Sequence, residues 1–464
     1  MTWEILTGDA IERLRELPAE SVQCCITSPP YHGLRDYGTG AWEGGDAACE
    51  HRASELRRGV NLAQSVTSTR GGAKKIAEAG WIPFRDVCGH CGAQRIDRQI
   101  GLEPTLDEYL DRLVEVFGEV WRVLRDDGTL WLNLGDGYAS HTSGNPQTGV
   151  SERSALRGNG HAGGNPKLKA LERPVRSVVS GLKAKDLVGL PWMVAFALRA
   201  AGWYLRSDVI WAKPNPLPES VTDRPTSAHE HLFLLAKSAR YHYDADAIRE
   251  PQQSLGERHE GRSGYRDGHP SKHGGYVNLQ RALHPGGRNK RNVWEVATQP
   301  FVEAHFATFP PRLIEPCVLA GTSPRACGAC GAPWQRIMER TFYGNLRTAD
   351  NKDGHRDLEL GLTRNEYGGQ KRWEEYEPPR TVGWRPSCGH EDGSGRCVVL
   401  DPFAGSGTVG VVCGWHGRDF VGVELNPEYA EMARRRILTE GSPSRRPSEH
   451  TDPLPGQLEL SLEP

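Results

Sequence analysis

Two short apolar runs, one near each end of the 464-residue chain, break off into loops of stiff composition. Val22-Gln23-Cys24-Cys25-Ile26 leads into Thr27-Ser28-Pro29-Pro30-Tyr31. Cys397-Val398-Val399-Leu400 leads into Asp401-Pro402-Phe403-Ala404-Gly405-Ser406-Gly407-Thr408. Such runs, bounded by proline and glycine, read as strands buried on both faces, which occur in sheets with helices on either side. If both loops serve one site, strands from opposite ends of the chain must lie side by side, with their carboxyl ends on one edge of the sheet.

The sequence between them keeps an α/β rhythm. Strands are expected at Trp3 to Thr7, Ser21 to Thr27, Thr129 to Leu134, Trp203 to Trp211, His229 to Lys237, Cys397 to Leu400 and Asp419 to Leu425. Helices are expected at Ala10 to Leu17, Thr105 to Leu124, Leu187 to Ala201, from Pro310 and Pro311 onward, and from about Val409. In the second of these, Leu106, Leu110, Leu113, Val114, Phe117, Val120, Trp121 and Leu124 recur at helical spacing, and Asp126-Asp127-Gly128 reads as its stop.

Length alone would allow two or three domains, but 54 glycines and 32 prolines indicate much loop, so one catalytic core with insertions is the expectation. The core is expected at residues 1–40, 101–140, 186–250, 294–325 and 393–440, with insertions at 41–100, 141–185, 251–293 and 326–392 and a Ser/Pro/Glu-rich, disordered tail at 441–464. No stretch approaches the roughly 18 apolar residues of a membrane span. The first residues run straight into a strand with no basic leader, so a cytoplasmic protein is expected.

A net charge of −2 argues against polyanion binding over the whole surface and confines any nucleic-acid contact to a patch. Residues 141–185 carry eight Lys or Arg against two acids, and residues 251–293 carry eight against three. Each is either a solvated loop or a phosphate-contacting one, and duplex DNA is the partner such clusters suit.

Of eleven cysteines, six fall into two similar sets. Cys49 and His51 precede Cys88 and Cys91; Cys327 and Cys330 precede Cys388 and His390. Each set offers three thiolates and one imidazole, and a Cys-x-x-Cys turn with a distant Cys-x-His pair can close a structural zinc shell. Glu50 and His90 are alternative ligands in the first set. Disulfides are the competing reading and are disfavoured in the cytoplasm. Cys24 and Cys25, inside an apolar run, read as small hydrophobes rather than nucleophiles.

The loop after Leu400 places an acid and a Pro-Phe brace before Gly405-Ser406-Gly407, so backbone can approach a ligand with no Cβ in the way. The next strand ends at Glu424, where a carboxylate can accept ribose hydroxyls. A nicotinamide dinucleotide is the rival guest. However, the spacing is not Gly-x-Gly-x-x-Gly, and Asp401 would face a pyrophosphate but suits a sulfonium and an ammonium, which favours S-adenosylmethionine. At the other end, the Ser28 hydroxyl and the Pro29 carbonyl, held by two prolines of fixed φ, can accept hydrogens from an exocyclic amine and localise its lone pair. Tyr31 offers a face on which the base can stack. An amine buried in a duplex has to be flipped out to reach such a pocket.

This pair of motifs resembles the DNA amino-methyltransferases, and because the clamp precedes the cofactor loop, the order is that of the beta class. The resemblance implies a Rossmann-like, S-adenosylmethionine-dependent methyltransferase sheet; the basic stretches and cysteine sets add the expectation of basic recognition loops and two zinc-binding inserts. It implies Ser28, Pro29, Pro30 and Tyr31 as catalytic. It places Asp401, Phe403, Gly405 and Gly407 around the methionine part of the cofactor, Glu424 on the ribose and Asn426 beside the adenine, with Ser406 and Thr408 also among the cofactor-binding residues. Asp9 would lie near the adenine amine, or simply cap the helix from Ala10. Trp211-Ala212-Lys213-Pro214-Asn215-Pro216 and His229-Glu230 resemble middle motifs of the family, making Lys213 and Asn215 candidate pocket residues.

Ser-Pro-Pro-Tyr resembles cytosine-N4 enzymes more than the Asp-Pro-Pro-Tyr of adenine-N6 enzymes, so N4 is favoured and N6 stays open. Methylation of RNA or protein, and a silent zinc-containing DNA-binding protein, are the rival functions. A cognate restriction endonuclease is a candidate partner, and so is a sliding clamp bound through Gln457-Leu458-Glu459-Leu460-Ser461-Leu462.

Overall fold

A computed structural model describes residues 1–32, 39–46, 48–49, 88, 91–103, 105–139, 182–183, 185–250, 287–299, 308–339 and 380–447. Among them the strands, in chain order, are β1 (Trp3–Thr7), β2 (Val22–Thr27), β3 (Ala41–Glu43), β4 (Gln94–Ile96), β5 (Leu124–Leu134), β6 (Tyr204–Ala212), β7 (His229–Ala236), β8 (Val293–Glu295), β9 (Gln335–Glu339), β10 (Arg380–Arg385), β11 (Val398–Asp401) and β12 (Asp419–Glu424). The helices are α1 (Ala10–Glu16), α2 (Leu106–Val123), α3 (Leu190–Ala200), α4 (Pro311–Gly321), α5 (Thr408–Trp415) and α6 (Pro427–Glu440).

Eight strands form one sheet in the order β1-β12-β11-β2-β5-β7-β6-β8. From β1 to β5 every pairing is parallel, and β7 runs antiparallel to both of its neighbours. The two strands singled out in the sequence are therefore neighbours, with Val399 opposite Cys24 and Leu400 opposite Cys25. Alternation along them divides the core between two faces. Cys24, Ile26, Val399, Leu232 and Leu234 point toward α4, α5 and α6. Val22, Cys25, Leu400, Phe233 and Leu235 point toward α1, α2 and α3. Both cysteines have no exposed surface and pack as small apolar groups; burial pushes the Cys24 thiol up to about 12, which removes it as a nucleophile.

Two expectations are corrected. The helix of α2 ends at Val123 and the strand begins at once, because Leu124 pairs with Val22 while Thr129 pairs with Cys24. Asp126-Asp127-Gly128 is thus part of an excursion within β5, held by a bond from Arg125 to Asp127 of 2.9 Å. Residues 441–447, read as the start of a tail, instead form a 3-10 turn at Pro443–Arg445, and Arg446 donates to Glu315 at 2.6 Å. Residues 448–464, including the clamp-like Gln457–Leu462, lie outside the described residues.

At the amino edge of the sheet, Gln23 is 3% exposed and fills both ends of its amide. Its Oε1 accepts from the Val398 amide at 2.6 Å, and its Nε2 donates to the Gly331 carbonyl at 2.9 Å. One side chain thereby joins β2, β11 and the Cys327–Cys330 turn. Gln23→Leu should leave a buried N–H and a C=O without partners and cost about 1–3 kcal/mol, read as a lower urea midpoint with an unchanged denaturant slope.

Candidate active site

The carboxyl ends of β1, β12, β11, β2 and β5 share one edge, and the loops leaving it build the site. Asp401 closes β11 with only 1% of its surface exposed. Its Oδ1 accepts from the Thr27 hydroxyl at 2.6 Å and from the Phe403 amide at 3.0 Å. Glu424 closes β12, and its two oxygens accept from the Gly405 amide at 2.8 Å and the Asn426 amide at 2.9 Å. Burial pushes the Asp401 carboxyl up to about 7, against the pull of the Thr27 hydroxyl and the Phe403 amide, and the Glu424 carboxylate adds to the rise. Burial raises Glu424 as well, opposed by the amides of Asn426, Gly405 and Leu425.

Gly407 turns the chain into α5 at φ +74°, and a Cβ there would lie 3.1 Å from the Ala433 backbone of α6, so no other residue fits without strain. The side chains of Ser406 and Thr408 face inward. They are 2% and 3% exposed, and both accept from Arg436 Nη1 at 2.9 Å. They brace the loop from behind, so any cofactor contact they make is through backbone. Asn426 and Asp9 are helix caps: Asn426 Oδ1 accepts from Glu428 at 2.8 Å, and Asp9 Oδ1 accepts from Ile11 at 2.9 Å and Glu12 at 3.1 Å. The capping alternative for Asp9 is the one the geometry displays, with Arg112 3.4 Å from its other oxygen.

The clamp leaves β2 beside this loop. Tyr109 of α2 donates its hydroxyl to the Pro30 carbonyl at 2.9 Å, which fixes the second proline. Ser28 Oγ lies 3.4 Å from the Tyr31 hydroxyl, and Tyr31 donates to Glu230 Oε2 at 3.1 Å. Lys213 pairs with the other oxygen of Glu230 and sits over the Trp211 ring, 4.4 Å from its centroid. A Cβ on Gly135, just past β5, would approach Tyr31 to 3.0 Å and Glu230 to 3.3 Å, so bare backbone seats both side chains. Lys213 is thus drawn to the clamp, whereas the amide of Asn215 bonds reciprocally with Thr298 at 3.2 and 2.9 Å. Glu230 was not among the assigned site residues. Only its place in the His229-Glu230 motif hinted at it, since its partner Tyr31 is 199 positions away.

Both cysteine sets gather their described members. The sulfurs of Cys49, Cys88 and Cys91 lie within 4.8 Å of one another; His51, Glu50 and His90 lie outside the described residues. The donor atoms of Cys327, Cys330, Cys388 and His390 likewise lie within 4.8 Å. The two Cys-x-x-Cys turns share one geometry. The Cys88 amide donates to Ala93 at 2.7 Å and the Gly92 amide to Cys88 at 2.8 Å; the Cys327 amide donates to Ala332 at 2.9 Å and the Gly331 amide to Cys327 at 2.8 Å. At Cys327, burial favours the thiol, but the amides of Cys330 and Ala329 outweigh it and bring the group down to about 7. Three sulfurs and an imidazole so placed fit a tetrahedral thiophilic cation.

A Gly405-Ser406-Gly407 loop and a Ser28-Pro29-Pro30-Tyr31 turn leave adjacent strands at one sheet edge, the arrangement expected of an amino-methyltransferase. A DNA methylase family model, covering N6 and N4 enzymes, matches residues 22–327 and 396–435, and the chain belongs to this family as a beta-class, S-adenosylmethionine-dependent DNA methyltransferase. It is 36% identical over 436 residues to the type II methyltransferase M.Cfr9I of Citrobacter freundii, covering 94% of this chain and 88% of the relative. It is 35% identical over 438 residues to M.XycI of Xanthomonas campestris pv. cyanopsidis, with the same coverage. Among solved structures, a PvuII DNA methyltransferase described as cytosine-N4-specific aligns over 95% of this chain and 94% of its own, at 13% identity and a TM-score of 0.42, values too low to carry an argument. No helix among the described residues is long and apolar enough to cross a membrane.

The raised Asp401 carboxyl makes the stability of the site pH-dependent and predicts a pH-dependent affinity for a cation held against it. With its ionisation displaced from near 4 to about 7, the empty folded protein holds an extra proton in that window and loses stability as pH rises through it. A cationic ligand against Asp401 favours the ionised form, so binding releases the proton and affinity falls as pH drops below 7. Calorimetry with S-adenosylmethionine at about pH 6 and about pH 7.5, in buffers of different ionisation heat, should give several-fold weaker binding at the lower pH with net proton release. Asp401→Asn should abolish the release.

Proposed function

We propose that the protein is a site-specific methyltransferase that modifies the N4 amine of cytosine flipped out of duplex DNA. The observation that carries this reading is the Ser28 hydroxyl at the head of a rigid clamp, on the strand beside the cofactor loop. S-adenosylmethionine, when bound, supplies an electrophilic methyl group. Asp401 meets its cationic end, the Gly405–Gly407 backbone cradles it, and Glu424 receives the ribose.

The clamp prepares the amine, whose lone pair is delocalised into the ring. Ser28 Oγ and the Pro29 carbonyl accept its hydrogens; the Pro30 carbonyl is already engaged by Tyr109. Tyr31 stacks on the base, and the closeness of the two loops holds the nitrogen in line with its electrophile. The basic stretches 141–185 and 251–293, largely outside the described residues, carry the DNA contacts and the sequence preference. Kinship with type II methyltransferases supports a role as the modification half of a restriction–modification pair. Incubation with labelled cofactor and unmethylated duplex DNA should yield N4-methylcytosine on nucleoside mass spectrometry, and Ser28→Ala should remove it while sparing cofactor binding. N6-methyladenine would keep the mechanism and overturn the base; label in RNA or protein alone would overturn the substrate.

We also propose that the two cysteine sets hold structural zinc, with His51 completing the first. Purified protein should contain two zinc ions by elemental mass spectrometry. Cys327→Ser should remove one of them and lower the melting temperature. Metal-free protein of unchanged stability would rule the sites out.

A further inference from the structure

We infer that Glu230, acting through Tyr31, fixes the hydrogen-bond polarity of the Ser28 hydroxyl, so that the clamp presents only acceptors and distinguishes amines from carbonyls. The inference rests on the proposed placement of the target base at Ser28. Glu230 is the second residue of β7, and its carboxylate is divided between two partners: Lys213 takes Oε1 and Tyr31 takes Oε2 at 3.1 Å. An ionised carboxylate can only accept, so the phenol spends its one hydrogen on Glu230. The phenol oxygen is then left to accept, from the Gly135 amide with one lone pair and from Ser28 Oγ, 3.4 Å away, with the other. With its own hydrogen so directed, Ser28 offers lone pairs alone to a ligand.

The neighbours keep this chain from reversing. Burial, then the Glu230 charge, holds Tyr31 protonated well above the usual phenol range, so it remains a donor. Lys213 and Glu230 are 19% and 18% exposed, which limits solvent competition for the carboxylate. An acceptor-only clamp suits the N4–H2 of cytosine or the N6–H2 of adenine, both donors, and repels the O4 of thymine, an acceptor. Glu230 is therefore a positioning residue. It lets a serine do what a clamp carboxylate would otherwise do.

The test compares wild type with Glu230→Gln and Tyr31→Phe on a duplex carrying the methylated site and on one with thymine at the target. Glu230→Gln keeps shape and the Lys213 contact, but its amide can donate to Tyr31 and reverse the chain. The single-turnover rate at saturation should fall roughly a hundredfold with cofactor affinity unchanged. The binding preference for the amine-bearing target over thymine should shrink or invert, a readout that a merely structural role would leave alone. Tyr31→Phe should lose a similar factor, and the double variant should lose no more than either single one, since one chain is cut at two points. A wild-type rate or an intact amine preference in Glu230→Gln, or multiplying losses in the double variant, would overturn the inference. Should Glu230→Gln fail to fold, Tyr31→Phe alone decides through the same preference. If the wild type methylates no DNA, the parent reading fails, while the target preference still reports on polarity.

Discussion

The hydrogen bond from Thr27 to Asp401, 2.6 Å long and between residues 374 positions apart, is the contact on which the site depends. Each residue is the last of its strand and 1% exposed. Thr27 immediately precedes Ser28, and Asp401 opens the cofactor loop, so one buried bond fixes the distance between amine clamp and cofactor cradle. A buried hydrogen bond contributes about 0.5–1.5 kcal/mol, rising to about 1.5–3 kcal/mol when the carboxyl is ionised, more than an exposed pair. The parallel register beneath it, Leu400 against Cys25, makes the alignment a property of the sheet rather than of the loops. In-line transfer needs reacting atoms held to within a fraction of an ångström, and loops hinged on a shared ladder supply that more cheaply than loops that must find each other.

The same economy divides the Asp-Pro-Phe-x-Gly-Ser-Gly-Thr motif into two populations. Asp401, itself 1% exposed, turns to the Thr27 hydroxyl and the Phe403 amide, and the bare backbone of Gly405 donates to Glu424 on the neighbouring strand. Ser406 and Thr408 look like cofactor ligands in sequence, yet their hydroxyls turn to Arg436, itself 8% exposed. Their hydroxyls add to the partners of a buried guanidinium, and the charge in return pins the turn from behind. Arg436 also reaches Glu440 at 2.9 Å, so α6 acts as a strut under the loop.

Much of the core was legible because strands buried on both faces are short apolar runs, as in β2, β7, β11 and the Thr129–Leu134 part of β5. The motifs at their ends were equally plain. Helix α6 escaped attention since its stripe is thin: Ala430, Ala433 and Ile437 are its buried apolar residues amid charge. The start of β5 was misplaced because Asp126-Asp127-Gly128 carries a turn signal locally, while the pairing of Leu124 with Val22 is decided a hundred residues away. Glu230, Gln23 and Arg436 share this character. Each is a polar side chain whose importance lies wholly in a distant partner, and neither periodicity nor spacing registers such a partner.

The two cysteine turns show that identical local chemistry can serve opposite ends of one sheet. The Cys327–Cys330 turn docks at the amino edge, where Gln23 bonds Gly331 and Arg125 bonds the Cys330 carbonyl. That is the edge away from the clamp. The arm carrying Cys88 and Cys91 follows the other course. Beyond β4 it returns to the clamp, where the Glu103 carbonyl meets His32 at 3.0 Å and Gly101 packs against the Tyr31 backbone. Distortion of the first set would travel through that arm to Tyr31, whereas distortion of the second would loosen the sheet from beneath. The same Cys-x-x-Cys turn therefore leads toward the Ser28–Tyr31 loop at one edge and docks on the strands at the other.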